Sequence, residues 1–248
     1  MLDILRSRES ATVAELATQL SITEMTIRRD LEALEVQGLL KRFHGGARLA
    51  AGSSYEPPLV VRMSTRTAQK RAIAAAVADL VEDGSTVLLD GGSTGIAVAQ
   101  ALVGRDLMVC ALSLRVAWVF EDSSTVHLLQ PPGTLRRGEL SVSGAETVAH
   151  LQRHHFDTYV LTASAFSRKG GFTEWNVEDA AVKRAALESA AVTVAAVDSA
   201  KFDRTAFVGV CSMDAPQVVV SDDGLSGAAR ASAEAVVQRL VLAPVLDD

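Results

Sequence analysis

From residue 67 to its end this chain alternates short apolar runs with helical stretches, and few folds accept that rhythm. Runs at 86–89, 107–111, 126–129, 158–162, 192–197 and 217–221 read as strands. Helical patterning lies around them at 67–82, 96–102, 113–121, 146–154, 177–190 and 225–240. The runs are continuously apolar rather than alternating, so both faces of their sheet must be covered. The pattern predicts a parallel, doubly wound α/β sheet with ligands at the strands' carboxyl ends.

The loops at those ends are rich in hydroxyls and charge. Asp90-Gly91-Gly92-Ser93-Thr94 joins a strand to a helix, which turns free amides and the positive end of the helix dipole toward the loop. Hydroxyls from Ser93 and Thr94 tilt the reading toward a bound phosphate. The motif is neither GxGxxG nor a Walker loop, so a nucleotide is not implied. Arg136 and Arg137 lie in the loop 130–144, Lys169 in the loop 163–176, Asp198 and Lys201 after residue 197, and Lys183 on the helix 177–190. Together on one rim they suit a small phosphorylated, hydroxylated ligand. Asp90, Glu178 and Asp198 are also the carboxylates that proton abstraction would need, so a sugar-phosphate isomerase with an attached head is the alternative.

The first fifty residues follow a different pattern. Thr12, with Glu15 three positions on, forms a capping box for a helix burying Leu16 and Leu20. Thr23 caps a second helix beginning at Glu24, in which Ile27, Leu31 and Leu34 make one buried stripe. Met25, Thr26, Arg28, Arg29 and Glu32 are left outside, and with Thr23 and Glu24 they make a face fit for a DNA groove. Gly38 stops this helix. Residues 39–43 read as a strand turned by His44-Gly45-Gly46, a wing in which Lys41, Arg42, His44 and Arg48 would meet the DNA backbone. A winged helix-turn-helix over 1–50, a linker over 51–66 with an extended piece, and an α/β domain over 67–248 are expected. The linker is marked by Gly52, Ser53, Ser54, Pro57 and Pro58.

A net charge of −6 opposes nucleic-acid binding, which rests on phosphate neutralisation. The head, however, carries seven basic and seven acidic side chains, and five of its cations lie between positions 28 and 48. Its neutrality is compatible with one cationic face. Cys110 and Cys211 lie in apolar runs and read as core residues. His127, His150, His154 and His155 lack the paired spacing of zinc ligands, and neither a metal nor a cofactor is expected. With no leader pattern and no apolar stretch long enough to span a bilayer, the expected location is the cytoplasm, without a membrane partner.

The segment from Glu15 to Ala47, with TIRRDL and HGGA in it, resembles the N-terminal signature of the DeoR-type bacterial transcription regulators. The resemblance implies Thr26, Arg28 and Arg29 on an operator-reading helix. It continues through LDGGST (89–94), PGTLR (132–136), EDAAVKRAAL (178–187) with Lys183 and VDSAKFDR (197–204) with Lys201. That second part looks like the family's sensor domain, related in fold to ribose-phosphate isomerases. It implies recognition of a sugar phosphate or similar metabolite, with Asp90, Gly91, Gly92, Ser93, Thr94, Arg136, Lys183, Asp198 and Lys201 as effector contacts. The chain departs from the family at Leu112-Ser113-Leu114, at Pro132-Gly133 and at TASAF after residue 161. A repressor of a sugar or polyol operon, acting as a homodimer or larger homo-oligomer on double-stranded operator DNA, is the expected function.

Overall fold

The computed structural model describes residues 1, 4, 5, 8, 10–36, 40–49 and 56–246. The expected helix stop at Gly38, Leu39 of the wing, and Gly52, Ser53 and Ser54 of the linker lie outside the described residues. The chain divides into two compact units, Met1–Val61 and Arg62–Asp248.

In the first unit, strand β1 (Ser10–Thr12) leads directly into α1 (Val13–Leu20), followed by α2 (Glu24–Val36), β2 (Leu40–Phe43) and β3 (Gly46–Leu49). The capping box is present: the Thr12 hydroxyl accepts from Glu15 N at 3.2 Å, and Glu15 Oε2 accepts from Thr12 N at 2.7 Å. Thr23 Oγ1 likewise accepts from Thr26 N at 3.2 Å at the start of α2. Leu5, Val13, Leu16, Ile27, Leu31 and Leu40 form the core, each worth about 1.5–3 kcal/mol of burial relative to exposure. Leu20 and Leu34 pack at its margin. Residues 10–12 pair antiparallel with β3, so the wing has three strands in the order β1-β3-β2 rather than two.

A short helix, α3 (Leu59–Ser64), spans the division between the units. It replaces the extended piece expected in the linker. Pro57 and Pro58 sit just ahead of it, where a missing N–H costs a helix nothing, and Pro58 O accepts from Val61 N at 3.0 Å.

The second unit opens with α4 (Thr67–Ala78), then β4 (Thr86–Leu89), α5 (Gly92–Leu102), β5 (Leu107–Ala111), α6 (Leu114–Ala117) and β6 (Val126–Leu129). Next come β7 (Thr134–Leu135), β8 (Val142–Ser143), α7 (Ala145–Leu151), β9 (Phe156–Leu161), β10 (Ala165–Ser167) and β11 (Gly171–Glu174). The chain continues through α8 (Val177–Glu188), β12 (Ala190–Ala196), β13 (Val208–Cys211), β14 (Val218–Asp222), α9 (Gly227–Glu234) and β15 (Leu240–Ala243). Seven strands form one parallel sheet in the order β15-β14-β12-β9-β4-β5-β6. The chain winds outward from β4 to β6, then returns to β9 on the other side of β4 and winds the opposite way. The β4/β9 seam is therefore the topological switch point, where doubly wound sheets bind ligands.

Several expected elements differ. The helix 113–121 is one turn of α-helix continued as a 3-10 turn, Trp118–Phe120. The loop 130–144 contains the β7/β8 ribbon, and the loop 163–176 is the β10/β11 hairpin, extended by β13 into a separate small sheet. The last helix stops at Glu234 rather than 240, because Leu240-Val241-Leu242-Ala243 completes the large sheet against β14. An edge strand satisfies that apolar, β-branched stretch better than a helix with one buried face. Cys110 is buried, whereas Cys211 is only half-buried at the margin of the small sheet, and both are free thiols.

Candidate nucleic-acid interface and ligand site

All ten side chains expected to meet DNA are exposed: Thr23, Glu24, Met25, Thr26, Arg28 and Arg29 around α2, and Lys41, Arg42, His44 and Arg48 around the wing. Met25 is 82% exposed, although it is flanked by the buried Ile27 stripe. Burying Ile27 and Leu31 under α2 fixes which face is left to solvent, and that face carries both arginines. Arg28 Nη2 rests on Glu24 Oε2 at 2.9 Å, one turn earlier. Arg42 is tied to Glu35, its amide donating to Oε1 at 2.9 Å. Among the described residues no ion pair holds Arg29, Lys41 or Arg48. His44 and Gly45 make the wing turn, Gly45 at φ +82°.

The glycine turn after β4 lies at the switch point. Helix α5 begins at Gly92 rather than near Ile96, so Ser93 and Thr94 belong to its first turn and are buried. A Cβ on Gly95 would meet the Asp90 carbonyl at 2.1 Å, so only glycine lets the helix close this tightly on the strand end. Asp90 is saturated by protein. Its Oδ1 accepts from Gly91 N at 2.8 Å, and its Oδ2 accepts from Thr162 N at 3.0 Å and Thr162 Oγ1 at 2.9 Å across the β4/β9 seam. Lys183 Nζ completes the set at 2.9 Å from Asp90 Oδ2, while also donating to Glu174 Oε2 at 2.6 Å and Thr162 O at 2.8 Å. Burial opposes the lysine's charge, but Asp90 and Glu174 outweigh it and hold its pKa above the ordinary lysine value.

Trp175 joins this core to the next loop. Its amide donates to Glu174 Oε1 at 3.0 Å, and Lys201 Nζ stands 5.0 Å from its ring centroid, a cation–π distance. Burial lowers the pKa of Lys201, with Asp198 working in the opposite direction. The Arg62 guanidinium lies 5.9 Å from the same ring and pairs with the buried Glu139. Asp198 faces Arg66, whose Nε is 2.9 Å from Asp198 Oδ1, close enough for an ion pair but not aligned as a hydrogen bond. Arg66 Nη2 also reaches Asp222 Oδ2 at 3.0 Å and Ser199 Oγ at 2.7 Å.

The fold thus brings Asp90, Gly91, Gly92, Ser93, Thr94, Lys183, Asp198 and Lys201 toward one rim. Arg136 pairs with Asp179 at 2.9 Å, and burial pushes that carboxyl up to about 6 against the pull of Arg136 and Lys183. Arg137 and Lys169 are exposed, Lys169 on the β10/β11 turn. Glu178, an alternative base, accepts from Ser143 Oγ at 3.1 Å. Six residues of the network were not anticipated: Arg62, Arg66, Glu139, Thr162, Glu174 and Trp175. The sequence did hold signals for two of them. Trp175 is one of only two tryptophans in the chain and lies in a loop at a strand's carboxyl end, and Thr162 ends the strand beside the switch point.

Residues 1–52 match the DeoR-like helix-turn-helix domain, and residues 65–223 match the DeoR C terminal sensor domain. The glycerol-3-phosphate regulon repressor of Escherichia coli strain K12 is 30% identical over 90% of this chain and 88% of its own. The lactose phosphotransferase system repressor of Lactococcus lactis subsp. lactis is 31% identical over 91% of this chain and 90% of its own. Among solved structures, ribose 5-phosphate isomerase A of Methanocaldococcus jannaschii overlays 54% of this chain and 53% of its own, at 15% identity and a TM-score of 0.40. No helix among the described residues is long and apolar enough to cross a membrane. Two family matches in the right order and relatives that are repressors along nearly their whole length lead to one conclusion, and the exposed arginines of α2 are consistent with it. The chain belongs to the DeoR family and is a DNA-binding transcriptional regulator, not an enzyme.

Proposed function

We propose that this regulator represses an operon of sugar or polyol metabolism and that a phosphorylated metabolite bound at the glycine turn weakens its hold on the operator. The observation that carries the reading is Gly91–Thr94, the amide-rich start of an eleven-residue helix, at the switch point of the sheet. The names of the glycerol-3-phosphate and lactose phosphotransferase repressors support the same class of ligand. In this reading Thr23, Glu24, Met25, Thr26, Arg28 and Arg29 face operator bases. Lys41, Arg42, His44 and Arg48 contact phosphates, and residues 1–50 and 67–248 act as reader and sensor. The protein works in the cytoplasm as a homodimer or larger homo-oligomer, because one short reading helix covers only a half-site.

Gel shifts on its own upstream DNA test the reading, with and without phosphorylated sugars and polyols. Retarded DNA released by at least one such ester is the expected result. Failure to bind that DNA under any condition would count against it.

A further inference from the structure

Parallel sheets are found almost only where both faces are covered. This sheet departs from that rule at one place. On one face Leu88, Cys110 and Tyr159 stand in register and are buried with Leu151 of α7 and Ala180 of α8. Two residues nearer the amino ends, on the same face, the next row is Asp157, Thr86, Met108 and His127, one from each of β9, β4, β5 and β6. There the cover stops: Met108 is 42% exposed, Asp157 and His127 are exposed, and Thr86 is half-buried. Val87 and Val109, between the two rows, point the other way and are fully buried. The open strip therefore belongs to one face, at the end of the strands opposite the glycine turn.

Chemistry is ordered along this row. Asp157 Oδ2 accepts from Thr86 N at 2.8 Å and from Thr86 Oγ1 at 2.7 Å, which fixes an exposed carboxylate at one end. Among the described residues its Oδ1 accepts no hydrogen bond from another residue. At the other end His127, on the edge strand, presents an imidazole, whose ring N–H can donate to a carboxylate in either protonation state. Met108 and Thr86 lie between them. Turned half a turn about an axis between β4 and β5 and laid against itself, the row is its own complement: Asp157 meets His127 of the second copy, and Met108 meets its Thr86. A twofold interface needs this property, because the same patch serves both subunits.

We infer that this row is an interface between two copies of the chain, in which Asp157 of each copy accepts from His127 of the other across a twofold axis beside Met108. The inference rests on the homo-oligomer reading above and gives it a surface.

Sedimentation velocity of the full-length protein over a dilution series is the test. Met108→Asp puts a carboxylate of each copy beside the axis, and His127→Asp puts one against Asp157 of the other copy. Like charges so placed should weaken association by about a hundredfold, leaving a smaller particle at concentrations where the wild type is assembled. Adding Asp157→Asn to His127→Asp removes the repulsion while keeping an acceptor for Thr86, and should recover most of the loss. Recovery is the signature, because purely structural roles would make two substitutions worse than one. An assembled wild type with either single variant equally assembled, or a double variant no better than His127→Asp, would overturn the inference alone. A wild type that stays monomeric throughout the series would instead sink the homo-oligomer reading, and this inference with it. Should Met108→Asp lose its circular-dichroism spectrum, His127→Asp and its recovery by Asp157→Asn decide, since His127 is exposed on an edge strand.

Discussion

Lys183 and Asp90 meet at 2.9 Å across the seam where the sheet reverses its winding, each side chain only 8% exposed. Lys183 also holds Glu174, so one lysine neutralises carboxylates on two segments that are remote in sequence. Removing one partner of such a buried set leaves charge without compensation, which costs about 3–5 kcal/mol. Lys183→Met should therefore lower the midpoint of thermal unfolding of the sensor by many degrees. A melt unchanged within error would show that water reaches these carboxylates.

Lys70 gives a pH dependence of definite sign. Burial is the largest influence and lowers its pKa from 10.5 to about 8, with Asp198 resisting and Lys201, Arg62 and Arg66 assisting. The unfolded chain then binds the proton more tightly than the folded one. Relative to Lys70→Met, the wild type should gain stability as pH rises from about 8 to 10.5 and lose that gain as pH falls through 8, by about 3 kcal/mol in all. Paired denaturant melts at pH 7 and pH 9.5 should show the difference between the proteins changing in that direction, and a constant difference would contradict the assignment.

The Thr12 capping box fixes the start of α1 and joins it to the wing. Thr12→Ala should destabilise the first unit by about 1 kcal/mol. Hydrogen exchange should quicken at the amides of α1 and leave those of β4 and β9 unaltered, and equal quickening in both units would be inconsistent with a local cap.

On DNA the cations should separate by role. Lys41→Ala should weaken binding evenly across sequences and reduce the salt slope by about one, as expected for a phosphate contact. Arg29→Ala should cost about 1–3 kcal/mol on the operator and little on random DNA. Glu24→Gln, which releases Arg28 from its 2.9 Å pair, should tighten binding to scrambled DNA. Salt-dependent fluorescence anisotropy on operator and scrambled DNA measures all three, and an Arg29→Ala loss equal on both would remove Arg29 from base reading.

What the sequence revealed depended on whether a residue's role was local. The Thr12 box, the Thr23 cap and the Ile27–Leu31 stripe are set by neighbours three or four positions away, and each stands as expected. The parallel sheet was legible because apolar runs covered on both faces carry their own signal. The β10/β11 hairpin and β13 were not, since short strands in polar loops are stabilised by partners far along the chain. The same holds for the rim. Gly91–Thr94 announce themselves, but Arg62 and Glu139 are 77 positions apart, and nothing in either neighbourhood hints at the other. Buried ion pairs are long-range facts.

Thr12 does two jobs at once, capping the first helix and pairing with Gly46 in the third wing strand. Wing and helices are therefore struck from one die, and the head meets DNA as a stamp of constant relief. Such a stamp leaves a metabolite little to reshape inside it. In the homo-oligomer proposed above, what remains adjustable is where each impression falls along the duplex, so the operator best suited to it is defined as much by the distance between its marks as by the letters within them.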